Sequence, residues 1–274
     1  MDGMQTEGLS PEMFERFCAL VYESAGIHLG PQKEALVSAR IGKRMRSLGM
    51  HSYADYYKLL KADGAGDEMV EMLNAISTNV THFYREDHHF KLLHTLLSDW
   101  CSAGQSRFRI WCAASSTGEE PYTLAMTVRE SSAADKDVRI LATDISTKAL
   151  QAAKMGSYEE RNLKPVPDAL RKKYFVKTVA PDGSTRYVVS ERLRSLLAFS
   201  RLNLAHPPYP MKGPFDVVMC RNVMIYFDNR VRKGFLDEAW RLLRPGGYLM
   251  VGHAESLSGL LSNFRNVQPS VYVK

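Results

Sequence analysis

The feature that most constrains this chain is a change of hydrophobic period near residue 105. Upstream, apolar residues recur at helical spacing; downstream, short apolar runs alternate with amphipathic stretches. The runs are "RFRIWCAA", "VRILATD", "LLAFSRLNL", "FDVVMCRN" and "YLMVGH". Between them lie "EEPYTLAMTVRES", "STKALQAAKMG" and "NRVRKGFLDEAWRLL", which read as helices. Strands separated by helices are joined by crossovers, which implies a mostly parallel, Rossmann-like sheet in an α/β fold. "RPGG" reads as the turn into the fifth strand, and "FRNVQ" with "SVYVK" as a closing hairpin. In such sheets ligands bind beyond the carboxyl ends of the strands, so the loops there are where chemistry is sought.

The first part predicts a small helical bundle. In "SPEMFERFCALVYESAG", Ser10 is placed to cap, Pro11 suits the first helical position, and Gly26 ends the pattern. Phe14, Phe17, Cys18 and Val21 form one stripe, and Val37, Ile41, Met45 and Leu48 another. "SYADYYKLLKAD" and "DEMVEMLNAIST" add further helices. A chain of 274 residues suits two domains at a prior of roughly 150 residues each. The division expected is a basic helical domain over 1–78 and a cofactor-binding domain over 79–274. The link between the second and third strands is long, with strand-like "YFVKTVA" and "TRYVVS" around the turn "PDGS". It predicts a small β-subdomain inserted at about 165–195.

Composition narrows the setting. The apolar fraction of 45% is ordinary for a globular chain. No apolar run approaches the roughly 18 residues of a membrane span. "MDGMQTEGLSPEMF" lacks the basic and apolar segments of a secretory leader, so a cytoplasmic protein is expected. That setting removes the glycosylation meaning of Asn79-Val80-Thr81. The cysteines, Cys18, Cys101, Cys112 and Cys220, form no C-x-x-C pair, and no metal site is expected. A net charge of +6 favours an acidic partner: nucleic acid, a membrane surface or an acidic protein face. Arg40, Lys43, Arg44 and Arg46 concentrate that charge on one helix, as a docking surface or a solvated face.

The strand-end loops carry the chemistry. After the first strand, "AASSTGEEPYTLA" keeps only Gly118 of a dinucleotide fingerprint. Glu119 and Glu120 open the next helix, where they would repel a pyrophosphate. They either welcome a cationic ligand such as S-adenosyl-L-methionine or complement the helix dipole. Asp144 ends the second strand, further from the glycine than the roughly 20 residues usual for a ribose-binding acid. It reads as a ribose ligand or as a helix cap. Asn203-Leu204 and Arg221-Asn222-Val223 end the third and fourth strands.

One segment fits neither grammar. "AISTNVTHFYRED" is too polar for a core and too aromatic for a linker, and it sits where the two parts meet. A strap across the pocket suits it, with Asn79, Thr81 and Arg85 toward a ligand and Phe83 and Tyr84 buried.

Taken together, "TNVTHFYRE", "AASSTGEEPYTLA", "LATDIS", "FDVVMCRNVMIYFD" and "LRPGGYLMVGHAES" resemble the bacterial chemotaxis receptor methyltransferases. The resemblance implies a class I S-adenosylmethionine-dependent fold. It implies methyl transfer to glutamate side chains of chemoreceptors. By position it implies cofactor contacts from Asn79, Thr81, Arg85, Glu119, Asp144, Asn203, Leu204, Asn222 and Val223. Either Glu119 or Glu120 fills the acidic position. Arg85 and Tyr226 are the candidates for gripping the substrate carboxylate. The resemblance further implies docking on the cytoplasmic part of a receptor. Arg40, Lys43, Arg44 and Arg46 would meet its acidic helical face, and the β-subdomain would take its C-terminal peptide in some members.

Two other readings compete. "NLAHPPYP" is similar to the N/D-P-P-Y motif of nucleic-acid aminomethyltransferases, but His206 stands where an acceptor for the amine is needed. A non-catalytic S-adenosylmethionine-binding sensor is the other, opposed by polar residues at every strand end.

Overall fold

The computed structural model describes residues 8–257, 259–260 and 263–274; residues 1–7, read above for a leader, lie outside them. The chain opens with α1 (Pro11–Ala25), α2 (Glu34–Ser47), α3 (Tyr53–Asp63) and α4 (Asp67–Ile76). Ser10 Oγ accepts from Met13 N at 3.2 Å, so the first helix starts at its cap. It stops at Gly26, whose φ of +66° ends it in a left-handed turn. Phe17, Val21, Val37, Ile41, Met45, Tyr56 and Leu60 are fully buried and give these helices a core of their own. Leu48 departs from the expected stripe: it caps the end of α2 and is exposed, because the helical period no longer governs it there.

A strap over residues 77–87 leads into α5 (His88–Ser102). This helix precedes the first strand, yet Phe90, Leu93 and Leu97 pack into the core of the sheet rather than that of the bundle. The helical bundle is therefore shorter than the helical run of sequence.

The sheet is built from β1 (Arg107–Cys112), α6 (Glu119–Arg129), β2 (Asp137–Asp144) and α7 (Thr147–Met155). An insert follows: β3 (Ser157–Tyr158), α8 (Asp168–Tyr174), β4 (Phe175–Val179), β5 (Thr185–Val189) and α9 (Glu191–Arg194). The chain returns through β6 (Leu197–Arg201), β7 (Phe215–Cys220), α10 (Asn229–Leu242) and β8 (Leu243–Val251). It closes with β9 (Arg265–Gln268) and β10 (Val271–Val273).

The main sheet runs in the order β6-β2-β1-β7-β8-β10-β9. Its pairs from β6 to β8 are parallel, and β10 and β9 finish it antiparallel. The chain moves outward from β1 to β2 and β6, then crosses back to β7. The order reverses between β1 and β7, which opens a crevice at their carboxyl ends. All of β7 is buried, Asp216 included. That carboxylate is satisfied by Arg109 N and Arg244 Nε, each at 2.7 Å.

The expected turn at Arg244-Pro245-Gly246-Gly247 lies inside β8, as an irregularity in its pairing with β7. A Cβ at Gly247 would stand 2.9 Å from Arg244 O and 3.1 Å from Asp216 O, so the strand passes too close for a side chain.

The predicted hairpin of the insert is β4 and β5, and β3 extends it into a three-stranded antiparallel sheet. Two residues long, β3 carries no readable period, and it lies upstream of the expected insert. The insert anchors the strap. Phe83 is fully buried, with its ring edge-on to Tyr158 at 5.0 Å and to Phe175 at 5.7 Å. Tyr84 packs on Phe90 at 5.9 Å.

The helical part lies across the sheet's carboxyl end through polar contacts. Buried Asn74 donates to Thr147 Oγ1 and accepts from Ser146 Oγ, both at 2.9 Å. Tyr22 donates to Asp228 at 2.6 Å, and His28 N to Tyr226 O at 2.8 Å. Among the described residues no helix is long and apolar enough to cross a membrane.

Phe83→Ala empties an aromatic pocket between strap and insert. It should cost about 3–5 kcal/mol of unfolding free energy, measured by urea titration.

Candidate active site

The crevice is a cavity with three walls. The sheet supplies the ends of β1, β2, β6 and β7, the strap closes one side, and residues 27–40 of the helical part close another. Backbone conformation marks the place. Among the described residues, Tyr84, Glu86, Ser116, Asn222 and Ser270 are the non-glycine positions with positive φ. All but Ser270 lie on the strap or the strand-end loops around the cavity. A left-handed L-residue costs roughly 1–2 kcal/mol, so the surrounding contacts must hold each one.

Asp144 faces the cavity from the end of β2. Its oxygens accept from Ser116 N at 2.8 Å and Ser146 N at 2.9 Å. The cap of α7 is Ser146, whose Oγ accepts from Ala149 N, so the capping alternative for Asp144 does not hold. Burial raises the Asp144 pKa and these amide hydrogen bonds oppose the rise. Each oxygen keeps a lone pair for a further donor, an arrangement suited to a vicinal diol.

The two glutamates at the start of α6 separate. Glu119 accepts from Thr117 Oγ1 at 2.6 Å and does not line the cavity. Glu120 does line it, and pairs with Arg221 at 3.0 Å while Cys112 Sγ donates to its other oxygen at 3.2 Å. Burial raises the pKa of both, and for Glu120 the Arg221 charge opposes the rise. Asn79, Thr81 and Arg85 line the cavity from the strap. Arg85 Nη1 donates to Val80 O at 3.0 Å, and Ser116 Oγ donates to Asn79 O at 3.0 Å.

Asn203, Leu204, Asn222, Val223 and Tyr226 also line the cavity. The Asn203 amide is committed elsewhere: it donates to Ser24 O at 2.7 Å and accepts from Ala205 N at 3.0 Å. Its side chain thus ties the β6 end to α1.

Sequence reasoning passed over the residues that hold these parts together. Arg221 has a fully buried side chain that meets Glu120, Glu86 and the carbonyl of Arg85. Burial alone would raise the Glu86 pKa; Arg221 and the Asn222 amide outweigh it and bring it below the usual range. Buried Glu255 accepts from Asn222 N and Gly252 N, both at 2.7 Å, and from Ile225 N at 3.2 Å. It fixes the loops after β7 and β8 together. The signal for Arg221 was a charge directly after a continuous apolar run, where the chain has not yet left the core.

The basic helix also divides. Arg44 pairs with Glu68, with Nε at 2.9 Å and Nη2 at 2.5 Å, and Tyr56 donates to the same carboxylate at 2.7 Å. Arg40 lines the cavity and donates to the carbonyls of Ile76 and Ser77 at the root of the strap. Both make contacts within the chain and are partly buried, so the four cations expected for docking differ in exposure. Lys43 and Arg46 are exposed.

Tyr209 of "NLAHPPYP" is buried, its hydroxyl donating to Leu204 O at 2.7 Å and its ring set against Trp111. The aromatic that would stack on a flipped base faces the core, so the aminomethyltransferase motif is not formed.

The lining fits S-adenosylmethionine: Asp144 suits a ribose and Glu120 a cationic end, while Lys33, Arg40, Arg85 and Arg221 line the same cavity. Comparison with known proteins agrees. Residues 12–77 match the sequence model of the CheR methyltransferase all-alpha domain, and residues 79–273 that of the CheR methyltransferase SAM binding domain. A probable chemotaxis protein methyltransferase of Rhizobium etli is 40% identical over 261 residues, covering 92% of this chain and 96% of that protein. Chemotaxis protein methyltransferases of Escherichia coli and Salmonella typhimurium are 37% and 36% identical, covering 96% and 98% of this chain and 91% and 92% of theirs. Across both of its parts, therefore, the chain belongs to the CheR methyltransferase family and uses S-adenosylmethionine for methylation in chemotaxis.

Proposed function

We propose that this enzyme is a protein-glutamate O-methyltransferase that forms methyl esters on the cytoplasmic domains of chemoreceptors. One observation carries the reading: Arg85 and Tyr226 line the same cavity as Asp144 and Glu120. Groups suited to a carboxylate substrate thus stand beside groups suited to a cationic cofactor. The unit that binds cofactor would span 79–274, and the helical unit 1–78 would serve the receptor.

Bound S-adenosylmethionine supplies an electrophilic methyl group on a sulfonium. The chain's own task is positional. A glutamate side chain has a reference pKa of about 4.3, so it arrives ionised and needs no general base. Arg85 spends one donor on Val80 O, which leaves others to hold one carboxylate oxygen while the second points at the methyl. Tyr226 offers a phenol to the same carboxylate. Asp144 would take the ribose hydroxyls, and Glu120, in place of Glu119, the ammonium end. Leu204 and the Asn203 backbone would flank the adenine. Asn79, Thr81, Asn222 and Val223 would complete the contacts around the methionine.

Docking falls to Lys43 and Arg46, the exposed cations of α2, against an acidic receptor helix. The edge of β4 away from β5 pairs with no strand among the described residues, and Val176 and Val179 on it are exposed. A C-terminal receptor peptide would add there as a strand.

With receptor-bearing membranes and labelled S-adenosylmethionine, the enzyme should incorporate methyl groups that mild alkali releases as methanol. Alkali-stable label would replace the ester with an N-methyl product. Arg85→Ala should lower kcat by about 10²–10³, as loss of a positioned donor does, with an unchanged melting temperature. Lys43→Glu with Arg46→Glu should raise KM for receptor and leave S-adenosylmethionine affinity alone. An unchanged receptor KM would remove α2 from docking.

A further inference from the structure

We infer that Glu86 and Arg221 form a clamp that positions Arg85 for the substrate. The inference rests on the reading of Arg85 given above. Arg85 lies between Tyr84 at φ +56° and Glu86 at φ +53°. An exposed strap would relax from two left-handed residues. Here the contacts on either side resist relaxation.

On one side, Tyr84 N donates to Thr123 Oγ1 at 3.3 Å, and its ring lies against Phe90. On the other, the Glu86 side chain is only 13% exposed and turns inward. It meets Arg221 Nη2 at 3.2 Å and accepts from Asn222 Nδ2 at 3.2 Å. The same Arg221 nitrogen donates to the carbonyl of Arg85 itself. One guanidinium therefore holds the main chain of Arg85 and the side chain of its neighbour. Its own position is set from behind by Glu120 at 3.0 Å and by the ring of Phe90 at 5.4 Å.

The groups facing Glu86 are consistent with a fixed ion pair. His89 Nδ1 lies 3.8 Å from its carboxylate, and burial keeps that imidazole neutral with a pKa of about 3. Among the described residues no second charged group is paired with Glu86 at this distance. Glu86 and Arg221 are positioning residues: they act on substrate through Arg85.

A double-mutant cycle in the full-length enzyme tests this. Glu86→Gln keeps the shape and an acceptor but removes the charge that Arg221 pairs with. Alone, it should lower kcat for receptor methylation by about tenfold or more, with a smaller change in KM for S-adenosylmethionine. In an Arg85→Ala background it should have almost no further effect, because the group it positions is gone. Glu86→Asp should recover part of the lost kcat. Arg221→Lys, which keeps the charge but cannot reach both the Arg85 carbonyl and Glu86, should behave like Glu86→Gln in both backgrounds. This second variant decides the matter if Glu86→Gln does not fold. Effects that multiply in the double variants would overturn the clamp and leave Arg85 its role. Wild-type activity in Arg85→Ala would overturn both.

Discussion

The site depends on a buried guanidinium. Arg221 follows the last residue of a fully buried strand, and its side chain has no access to water. Isolated, such a charge would cost several kcal/mol, and removing one partner of a buried pair typically costs about 3–5 kcal/mol. The chain answers with Glu120 from the helix after β1 and Glu86 from the strap. Those partners come from segments far apart in sequence. Satisfying one charge therefore obliges the strap, the first strand-end loop and the fourth strand-end loop to meet at one point. The cavity is what they enclose.

The same arrangement brings both signs of charge into the pocket. Glu120 and Asp144 line it together with Arg221, Arg85, Arg40 and Lys33. A cationic group and a carboxylate can therefore be held side by side. The first loop keeps only Gly118 of the glycines of a dinucleotide fold. Those glycines let a pyrophosphate approach main-chain amides; here two such amides, Ser116 N and Ser146 N, are spent on the Asp144 carboxylate.

Much of the fold was legible because its strands are either buried on both faces or bounded by turns. "FDVVMC" could be little else, and Ser10, Pro11 and Gly26 bracket α1 in so many residues. The failures are of one kind: properties set by a partner distant in sequence. The Pro-Gly-Gly segment reads as a turn until β7 lies beside it and draws it into the ladder as a bulge. Arg44 reads as an unpaired surface cation until α4 presents Glu68. Glu119 and Glu120 share a helical turn and a composition; only Arg221, a hundred residues on, decides which of them faces the cavity. The strap was legible as a strap because Phe83 and Tyr84 required burial, but not where they would be buried.

Phe83 finds its place in the insert, between Tyr158 next to the main sheet and Phe175 at the head of β4. An insertion that looks like an ornament on a methyltransferase sheet is thus half of the socket for a ring three residues from Asn222's neighbour Glu86 on the strap. Trimming the insert to shorten the chain would fail for a reason invisible in any diagram of the fold. The active-site wall and the ornament share a single nail.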